Sequence, residues 1–209
     1  ATVIGEPSSW SKVTLGYKGS AWFDLKIARS VAHTSAQIES ACEAAVAGWN
    51  AISRWAADYN AGRPRMFDQA LPTLRRMSSE SDGFTETATL RFGVRLPPGL
   101  GAADVAELLR AVVGETELTL LEGIDAYRSD KNTPLVRAFL AAIRQQGGQP
   151  AFSVKSGTSD MNIVAPGWGT PIVAYGPGDS GLDHTPHEHI ELSEYQRAID
   201  VLATVLQQI

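Results

Sequence analysis

Apolar and polar residues near the start of the chain alternate in a way that predicts extended structure and then a helix. Between Lys12 and Ala32, β-branched and aromatic residues alternate around a break at Gly19, which indicates two strands or one long bent strand. Thr34 and Gln37 have the spacing of a capping box. Apolar residues then recur every three or four positions as far as Asp58: Ile38, Cys42, Ala45, Val46, Trp49, Ile52 and Ala56. This pattern predicts an amphipathic helix.

The next part of the chain continues with strands and one further helix. Asn60 to Pro72 is a predicted loop, and the predicted elements after it are strands at Leu74–Met77 and Thr87–Arg95, joined by a turn at 78–83, a helix at Ala102–Val113 and a strand at Glu117–Leu121. The resulting order of strand, helix, strand, strand, helix, strand is that of a split βαβ unit. We therefore expect an α+β domain with two helices on one face of a sheet.

The remainder of the chain alternates helices and strands. Thr133 and Pro134 predict a helix start, and Gly147 predicts its end. Strands are predicted at Phe152–Lys155 and Ile172–Tyr175, and a last helix is predicted with a cap at Ser193 and Gln196. These strands are too few to close a sheet of their own. The region therefore resembles half of an α/β domain, and the opening residues 1–7 read as the end of a buried strand that enters a turn.

Composition and charge narrow the class of protein. The chain has 209 residues, of which 44% are hydrophobic and 20% charged, so it is long enough for one large or two small globular domains. The formal net charge is -5 and no basic run is longer than a pair, so we expect no nucleic-acid partner. No apolar stretch approaches about 18 residues, so we expect no membrane span. The single cysteine, Cys42, is expected to be a buried small hydrophobe, and the lack of disulfides favours a cytoplasmic setting.

Candidate chemistry is concentrated between Lys155 and His189. This stretch contains a loop of small residues at 156–159, two carboxylates at Asp160 and Asp183, and three histidines. Small residues let a ligand approach the backbone, and imidazoles beside carboxylates hold metals or move protons. The alternative is a glycine-rich surface loop followed by solvated histidines.

Several motifs together resemble one family of enzymes. The motifs are IleGlyGluPro at 4–7, AlaHisThrSer at 32–35, ValArgLeuProProGly at 94–99, SerGlyThrSerAspMetAsn at 156–162, TyrGlyProGly at 175–178 and HisThrProHisGluHisIle at 184–190. In this order they resemble the aminoacylase-type zinc metallopeptidases and hydrolases. That family includes acetylornithine deacetylase, succinyl-diaminopimelate desuccinylase and a carrier-protein-lysine hydrolase, and the GlyThrSerAspMetAsn wording favours the last.

The resemblance implies a fold of two domains. A zinc-binding α/β catalytic domain would comprise residues 1–9 and 123–209, and a ferredoxin-like βαββαβ dimerisation or lid domain, residues 10–122, would be inserted into it. The resemblance also implies a homodimer formed through residues 10–122.

The resemblance assigns roles to individual residues. Glu6 and His184 would each be a ligand of one zinc in a site that holds two when complete, with cobalt as an alternative metal. His33 would reach the active site of the partner subunit and stabilise the tetrahedral intermediate, while Arg95 and the Gly157, Thr158 and Ser159 loop would bind the substrate carboxylate. The alternatives are an exposed turn for Glu6, a surface position for His33 and a solvated strand end for Arg95. Of the neighbouring groups, Glu188 and Asp183 would orient His184 or its loop, Asp160 would be structural, and His187 and His189 would lie on the surface.

Part of the family pattern is absent from this sequence. The HisXaaAsp motif, the bridging aspartate and the paired glutamates of the family would precede GlyGluPro, and none is present. Glu6 and His184 alone would give each zinc one protein ligand where three or four are usual. We therefore expect zinc not to be fully bound and the chain to be inactive alone, with an N-terminal half removed or supplied in cis or trans.

Two functions remain open from the sequence. The chain is either the carboxy-terminal portion of an amide hydrolase or a non-catalytic dimerising or ligand-binding module derived from one. The hydrolase would release lysine or ornithine from an N-acyl or carrier-linked precursor. Retention of Glu6, His33 and His184 favours the hydrolase.

Overall fold

The computed structural model describes residues 1–33, 35 and 38–209. Its strands are β1 (Thr2–Gly5), β2 (Lys12–Tyr17), β3 (Gly19–Ser30), β4 (Leu71–Ser81), β5 (Thr85–Leu96), β6 (Glu117–Ile124), β7 (Tyr127–Arg128), β8 (Ala151–Lys155) and β9 (Ile172–Tyr175). Its helices are α1 (Ala41–Asn60), α2 (Ala102–Val113), α3 (Pro134–Gln145), α4 (Asp160–Trp168) and α5 (Leu192–Leu206). A 3₁₀ turn lies at Met66–Asp68. The protein is thus a mixed α/β fold.

The chain divides into two compact units. Unit 1 comprises residues 1–17 and 127–209, and unit 2 comprises residues 18–126. The range of unit 2 differs from the predicted 10–122 at both ends. The difference at its start arises because β2 hydrogen-bonds with β7, β8 and β9 in the sheet of unit 1. The strand break predicted at Gly19 therefore coincides with the junction between the units.

Unit 2 is an antiparallel sheet with helices packed on one face. The strand order is β4-β5-β3-β6. Alternate residues of β3 and β5 form a buried core with α1 and α2: Ala21, Phe23, Leu25, Ile27, Ala88, Leu90, Phe92, Val94, Ala45, Ile52, Val105 and Leu109. The rings of Phe23 and Phe92 stack with centroids 5.2 Å apart. The other sheet face carries polar residues, among them Asp24 and Arg91, whose side chains form two hydrogen bonds of 2.8 and 2.7 Å.

Helix α1 presents part of the predicted stripe to the core: Ala45, Ile52 and Ala56 are buried and Trp49 packs against the core, which confirms these positions. The predicted cap at Thr34 and Gln37 lies outside the described residues, whereas Ser40 and Glu43 form a capping box at the start of the helix. The prediction that Cys42 is buried is wrong, since Cys42 is exposed. Small residues at Ala41, Ala44 and Ala45 face the sheet instead, and a Cβ at Gly48 would lie 3.0 Å from Leu25. Close approach of the helix to the sheet favours small side chains such as Ala41 and Ala44 over larger ones such as Val46.

The hairpin of β4 and β5 is longer than predicted. Residues 78–81, assigned to a turn from sequence, extend β4 and pair with 86–89 of β5. The turn is confined to residues 82–84, where Asp82 Oδ1 accepts the amides of Phe84 and Thr85 at 2.9 and 2.7 Å. Cross-strand pairing therefore overrides the turn propensity of the serines.

Unit 1 is a mixed sheet covered by helices. Its strands run in the order β1-β9-β2-β7, and β8 also pairs with β2. β1 is parallel to β9, and β8 is parallel to β2. The core on α3 and α5 contains Val13, Leu15, Leu135, Val136, Phe139, Ile143, Val173, Tyr175, Val201 and Val205. A smaller cluster packs α4 through Met161 and Ala165 against Tyr17 and Ile172.

The helix ends of unit 1 show which capping signals are used. Thr133 Oγ1 accepts the Val136 amide at 3.2 Å and Pro134 opens α3, which confirms the predicted start. The cap predicted at Ser193 is wrong, because α5 begins at Leu192 after Glu191 without a side-chain cap. Across the described part of the chain, no helix has the length and apolar character needed to cross a bilayer.

Candidate metal and substrate site

Glu6 lies where two parallel strands of unit 1 end side by side. It follows β1, and Gly176 follows the neighbouring β9. The amide of Ser8 donates to the Gly176 carbonyl at 3.0 Å, and the amide of Ser9 donates to the Gly178 carbonyl at 2.9 Å. A Cβ at position 176 would lie 2.7 Å from the Glu6 carbonyl oxygen, so this packing requires glycine. The GlyGluPro and TyrGlyProGly motifs are therefore locked together through their backbones.

The Glu6 carboxyl is in a negative electrostatic environment. Burial raises its pKa, the charges of Asp160 and Asp183 raise it further, and Lys155 opposes them. Burial also raises the pKa of the Tyr17 hydroxyl, with the Glu6 charge as the second cause. The structure thus brings Glu6, Asp160 and Asp183 into one acidic cluster. Their negative charges attract cations in general, but the carboxylates of these three described residues are not grouped closely enough to hold a metal ion between them.

Lys155 supplies the positive charge in this cluster and was not identified from the sequence as a site residue. Its ammonium donates to the Ser180 hydroxyl, and burial lowers its pKa while Asp183 opposes that shift. The signal available in the sequence was its position directly before the loop of small residues. A lysine at that point is common on surfaces, so the signal alone was weak.

The loop of small residues leads into a helix that the sequence pattern does not predict. Ser159 is the N-cap of α4: its hydroxyl accepts the Met161 amide at 3.2 Å, and Asn162 Oδ1 accepts the Ser159 amide at 2.9 Å. Nothing lies within 4 Å of a Cβ built on Gly157. The loop therefore leaves open space beside a helix N-terminus, which favours an anionic ligand group.

The histidine loop of unit 1 holds His184 in an unusual backbone conformation. His184 has φ 61°, in the left-handed region that non-glycine residues rarely adopt. Its amide donates to Glu188 Oε2 at 2.9 Å, so Glu188 fixes the backbone of His184. His187 and His189 are exposed, and His189 lies 3.9 Å from Glu191. His184 therefore occupies a strained backbone position.

His33, in unit 2, has a defined tautomer when neutral. The Ser35 amide donates to His33 Nδ1 at 3.3 Å, and the Ser35 hydroxyl lies 2.7 Å from the same nitrogen. Because an amide can only donate, Nδ1 is an acceptor and the ring proton lies on Nε2. The imidazole is exposed, so this N–H is available to an external oxygen.

Arg95 and His33 lie at opposite ends of the unit 2 sheet. Arg95 pairs with Ser20 near the start of β3, whereas His33 follows Ser30 at its end. At about 3.3 Å per strand residue, the two ends are roughly 30 Å apart. Unit 2 of one copy therefore does not bring these two predicted site residues together.

The two predicted metal ligands, Glu6 and His184, are suitable in type but too few for a metal site. Carboxylate oxygen and imidazole nitrogen are ligands that zinc accepts. Among residues 1–33, 35 and 38–209, no three histidine, cysteine, aspartate or glutamate side chains are grouped closely enough to hold a metal ion. The described residues thus do not form a complete zinc site by themselves.

Comparison with known proteins identifies the family. The model of peptidase family M20/M25/M40 matches residues 1–208. The [LysW]-lysine hydrolase of Deinococcus radiodurans is 42% identical over 99% of this chain and 59% of its own length. A putative [LysW]-lysine/[LysW]-ornithine hydrolase of Thermococcus kodakarensis is 38% identical over 99% of this chain and 54% of its own length. The chain belongs to peptidase family M20/M25/M40.

Solved structures show the same fold. An M20 family metallo-carboxypeptidase from Sulfolobus solfataricus superposes with a TM-score of 0.73 at 15% identity, covering 100% of this chain and 63% of its own. A Staphylococcus aureus tripeptidase gives a TM-score of 0.72 at 17% identity, covering 98% of this chain and 55% of its own. The chain thus spans little more than half the length of the relatives that it matches.

Proposed function

We propose that this chain forms part of a metal-dependent hydrolase that releases lysine or ornithine from a carrier-protein-linked amide. The observation that carries the proposal is the 42% identity to a [LysW]-lysine hydrolase along 99% of the chain. The acidic cluster around Glu6 supports it, because hydrolases of this kind need a cation site.

The two units have separate roles in this proposal. Unit 1 is the catalytic part, corresponding to the predicted residues 1–9 and 123–209, and unit 2 is the inserted dimerisation or lid domain. Support for a ferredoxin-like insert comes from the order β3, α1, β4, β5, α2, β6 and the sheet order β4-β5-β3-β6.

Each predicted site residue acts through a group described above. Glu6 and His184 are the zinc ligands from this chain, with further ligands supplied from outside it. The loop at Gly157, Thr158 and Ser159, through the amides that α4 capping leaves free, and the Arg95 guanidinium bind the substrate carboxylate, while the Ser159 amide itself donates to Asn162 Oδ1. The Nε2–H of His33 donates to the developing oxyanion.

The active assembly is a homodimer. Because unit 2 holds His33 and Arg95 roughly 30 Å apart, both can serve one substrate only if two copies contribute one residue each. We expect sedimentation at micromolar concentration to give a dimer. A clean monomer under those conditions would contradict this part of the proposal.

The proposed activity is tested by supplying the part of a relative that this chain does not match. The chain is folded alone and together with the unmatched portion of the Deinococcus radiodurans relative, and zinc content and lysine release from a carrier-linked substrate are measured. We expect bound zinc and lysine release only in the mixture. Glu6→Ala and His184→Ala should reduce the zinc content, and Glu191→Gln should leave it unchanged. Zinc uptake with no amide hydrolysis would overturn the proposed reaction.

A second candidate is a non-catalytic dimerising or ligand-binding module. The observation that favours it is the lack of a grouped set of three metal ligands in the described part of the chain. Dimerisation without zinc uptake in the mixture would support this alternative.

A further inference from the structure

Lys18, the first residue of unit 2, is a completely buried lysine. Its side chain is 0% exposed. The ammonium donates to the carbonyls of Met66 and Phe67 at 3.2 and 3.1 Å, and also to the carbonyl of Gln69. Three acceptors match the three N–H donors of an ammonium. The 3₁₀ turn at Met66–Asp68 thus forms part of a carbonyl cage around Lys18.

The register of the sheet places the backbone of Arg95 next to the segments that carry Lys18 and the cage. Gly19 pairs with Leu96 and Ser20 pairs with Arg95. Lys18 lies immediately before β3, so Arg95 is opposite a residue two positions after Lys18. Arg95 also pairs with Leu71, which follows the cage-forming residues 66–69 along the chain. The Arg95 side chain therefore begins near the residues that form the cage.

Lys18 and Arg95 interact as like charges. Burial lowers the pKa of Lys18 to about 8, Asp68 opposes the shift and Arg95 adds to it. The ion pairs formed by the described residues involve Arg29, Arg65, Arg91 and His189 and do not include Arg95. Asp68, the acidic group nearest the cage that acts on Lys18, is itself paired with Arg65 at 2.6 Å.

We propose that Lys18 is a positioning residue for Arg95, because it fills the carbonyl cage and so keeps the Arg95 guanidinium available for an external carboxylate. Without the ammonium, the carbonyls of residues 66, 67 and 69 would be left without this donor, which is costly for buried acceptors. The neighbouring guanidinium carries five N–H donors and would turn inward to satisfy them. That the external carboxylate belongs to a substrate rests on the function proposed above.

The test follows the Nε–H of Arg95 by nitrogen-15 NMR in the whole chain. In the unaltered protein we expect this proton to exchange rapidly with water. In Lys18→Met we expect its exchange to slow by about tenfold or more as the guanidinium enters the cage. Lys26→Met is the matched control, since it removes an exposed lysine from β3, the strand that follows Lys18, and it should leave Arg95 unchanged.

Several results would overturn the proposal. These are a protected Arg95 Nε–H in the unaltered protein, or unchanged exchange in a folded Lys18→Met variant. If Lys18→Met does not fold, Lys18→Gln retains two N–H donors and should slow Arg95 exchange less than tenfold; no change there also overturns the proposal.

A kinetic measurement separates this proposal from the proposed reaction. In the restored enzyme, we expect Lys18→Met to raise KM about tenfold while kcat changes little, because Arg95 binds the substrate carboxylate less well. Slowed Arg95 exchange without any hydrolysis would keep the positioning role and reject the reaction. Hydrolysis by Lys18→Met with unchanged KM and unchanged Arg95 exchange would support the reaction and reject the positioning role.

Discussion

At the scale of single residues, Gly176 determines where Glu6 lies. A Cβ at position 176 would approach the Glu6 carbonyl oxygen to 2.7 Å, whereas nothing lies within 4 Å of a Cβ at Gly5. We expect Gly176→Ala to reduce the free energy of unfolding by about 1–3 kcal/mol. Gly5→Ala, one residue before Glu6, should change it by less than about 0.5 kcal/mol. Urea denaturation of both variants checks this, and equal effects would show that the close contact is not the cause.

The Asp24 and Arg91 pair of unit 2 gives a pH-dependent contribution to stability. Hydrogen bonding from Arg91 lowers the pKa of Asp24. A lowered carboxyl pKa stabilises the fold above the pKa of the unfolded state, about 3.9, and this contribution is lost as pH falls through the folded value. We expect Asp24→Asn to lower Tm at pH 7 by about 2 °C or less, since the pair is partly exposed.

Thermal unfolding across pH tests the assignment of this effect to the pair. The difference in Tm between the unaltered protein and Asp24→Asn should shrink below about pH 4. Arg91→Gln removes the other partner of the pair and should lower Tm at neutral pH by the same amount. A difference that is constant from neutral to acid pH would contradict the electrostatic origin.

At the scale of elements, the sequence predicted those helices whose end signals act locally. Thr133 and Pro134 start α3, and Gly114 follows the last residue of α2, as the pattern predicts. Helix α4 was missed although it has an N-cap at Ser159 and a left-handed Gly169 after its end. The reason is that Pro166 and Gly167 fall within its nine residues, and such residues normally exclude a helix.

Errors in α1 have a different physical origin. Its periodicity fits two overlapping stripes that share Ala45, Ile52 and Ala56. Only packing against the sheet selects Ala41 and Ala44 over Cys42 and Val46. Similarly, the motifs predict Glu6 and His184 as site residues, but the charge of Lys155 that acts on Glu6 depends on the folding of distant segments. Contacts of long sequence separation are what a single sequence does not reveal.

The caps give a prediction at this scale. Ser40 caps α1 and its hydroxyl accepts the Glu43 amide at 3.2 Å, whereas Ser193 lies within α5 and is not its cap. We expect Ser40→Ala to cost about 1 kcal/mol of unfolding free energy and Ser193→Ala less than about 0.5 kcal/mol. Circular dichroism melts of the two variants check this. The opposite ranking would support the cap predicted from sequence.

At the scale of the whole molecule, unit 1 carries exposed apolar residues around an open groove. The groove has a volume of about 440 Å³ and is lined by Gly5, Glu6, Pro7, Tyr175, Gly176, Pro177, Tyr195, Ala198, Ile199 and Leu202. Of these, Tyr195 and Ile199 are 49% and 42% exposed. Apolar surface of this kind usually marks a binding surface.

We expect the chain alone to bind a hydrophobic fluorescent dye and to bind less of it when folded with the unmatched portion of the Deinococcus radiodurans relative. Ile199→Lys should reduce dye binding by the chain alone, and Leu108→Lys, an exposed site on α2 of unit 2, is the matched control. Negligible dye binding together with a cooperative unfolding transition would contradict the expectation that a further part of the protein covers this face.

The junctions of the two units have a consequence for how such proteins are assembled. In unit 1, Tyr17 and Tyr127 are direct strand partners, and in unit 2, Ser20 pairs with Ile124. Each unit therefore has its two cut ends side by side. Unit 2 is therefore arranged as an insert in unit 1. A short hairpin turn in its place would connect Tyr17 to Tyr127, and another sequence with adjacent termini would fit between the same two residues. Under the proposed dimerisation role of unit 2, replacing this insert would change how copies associate and leave the rest of the chain unaltered.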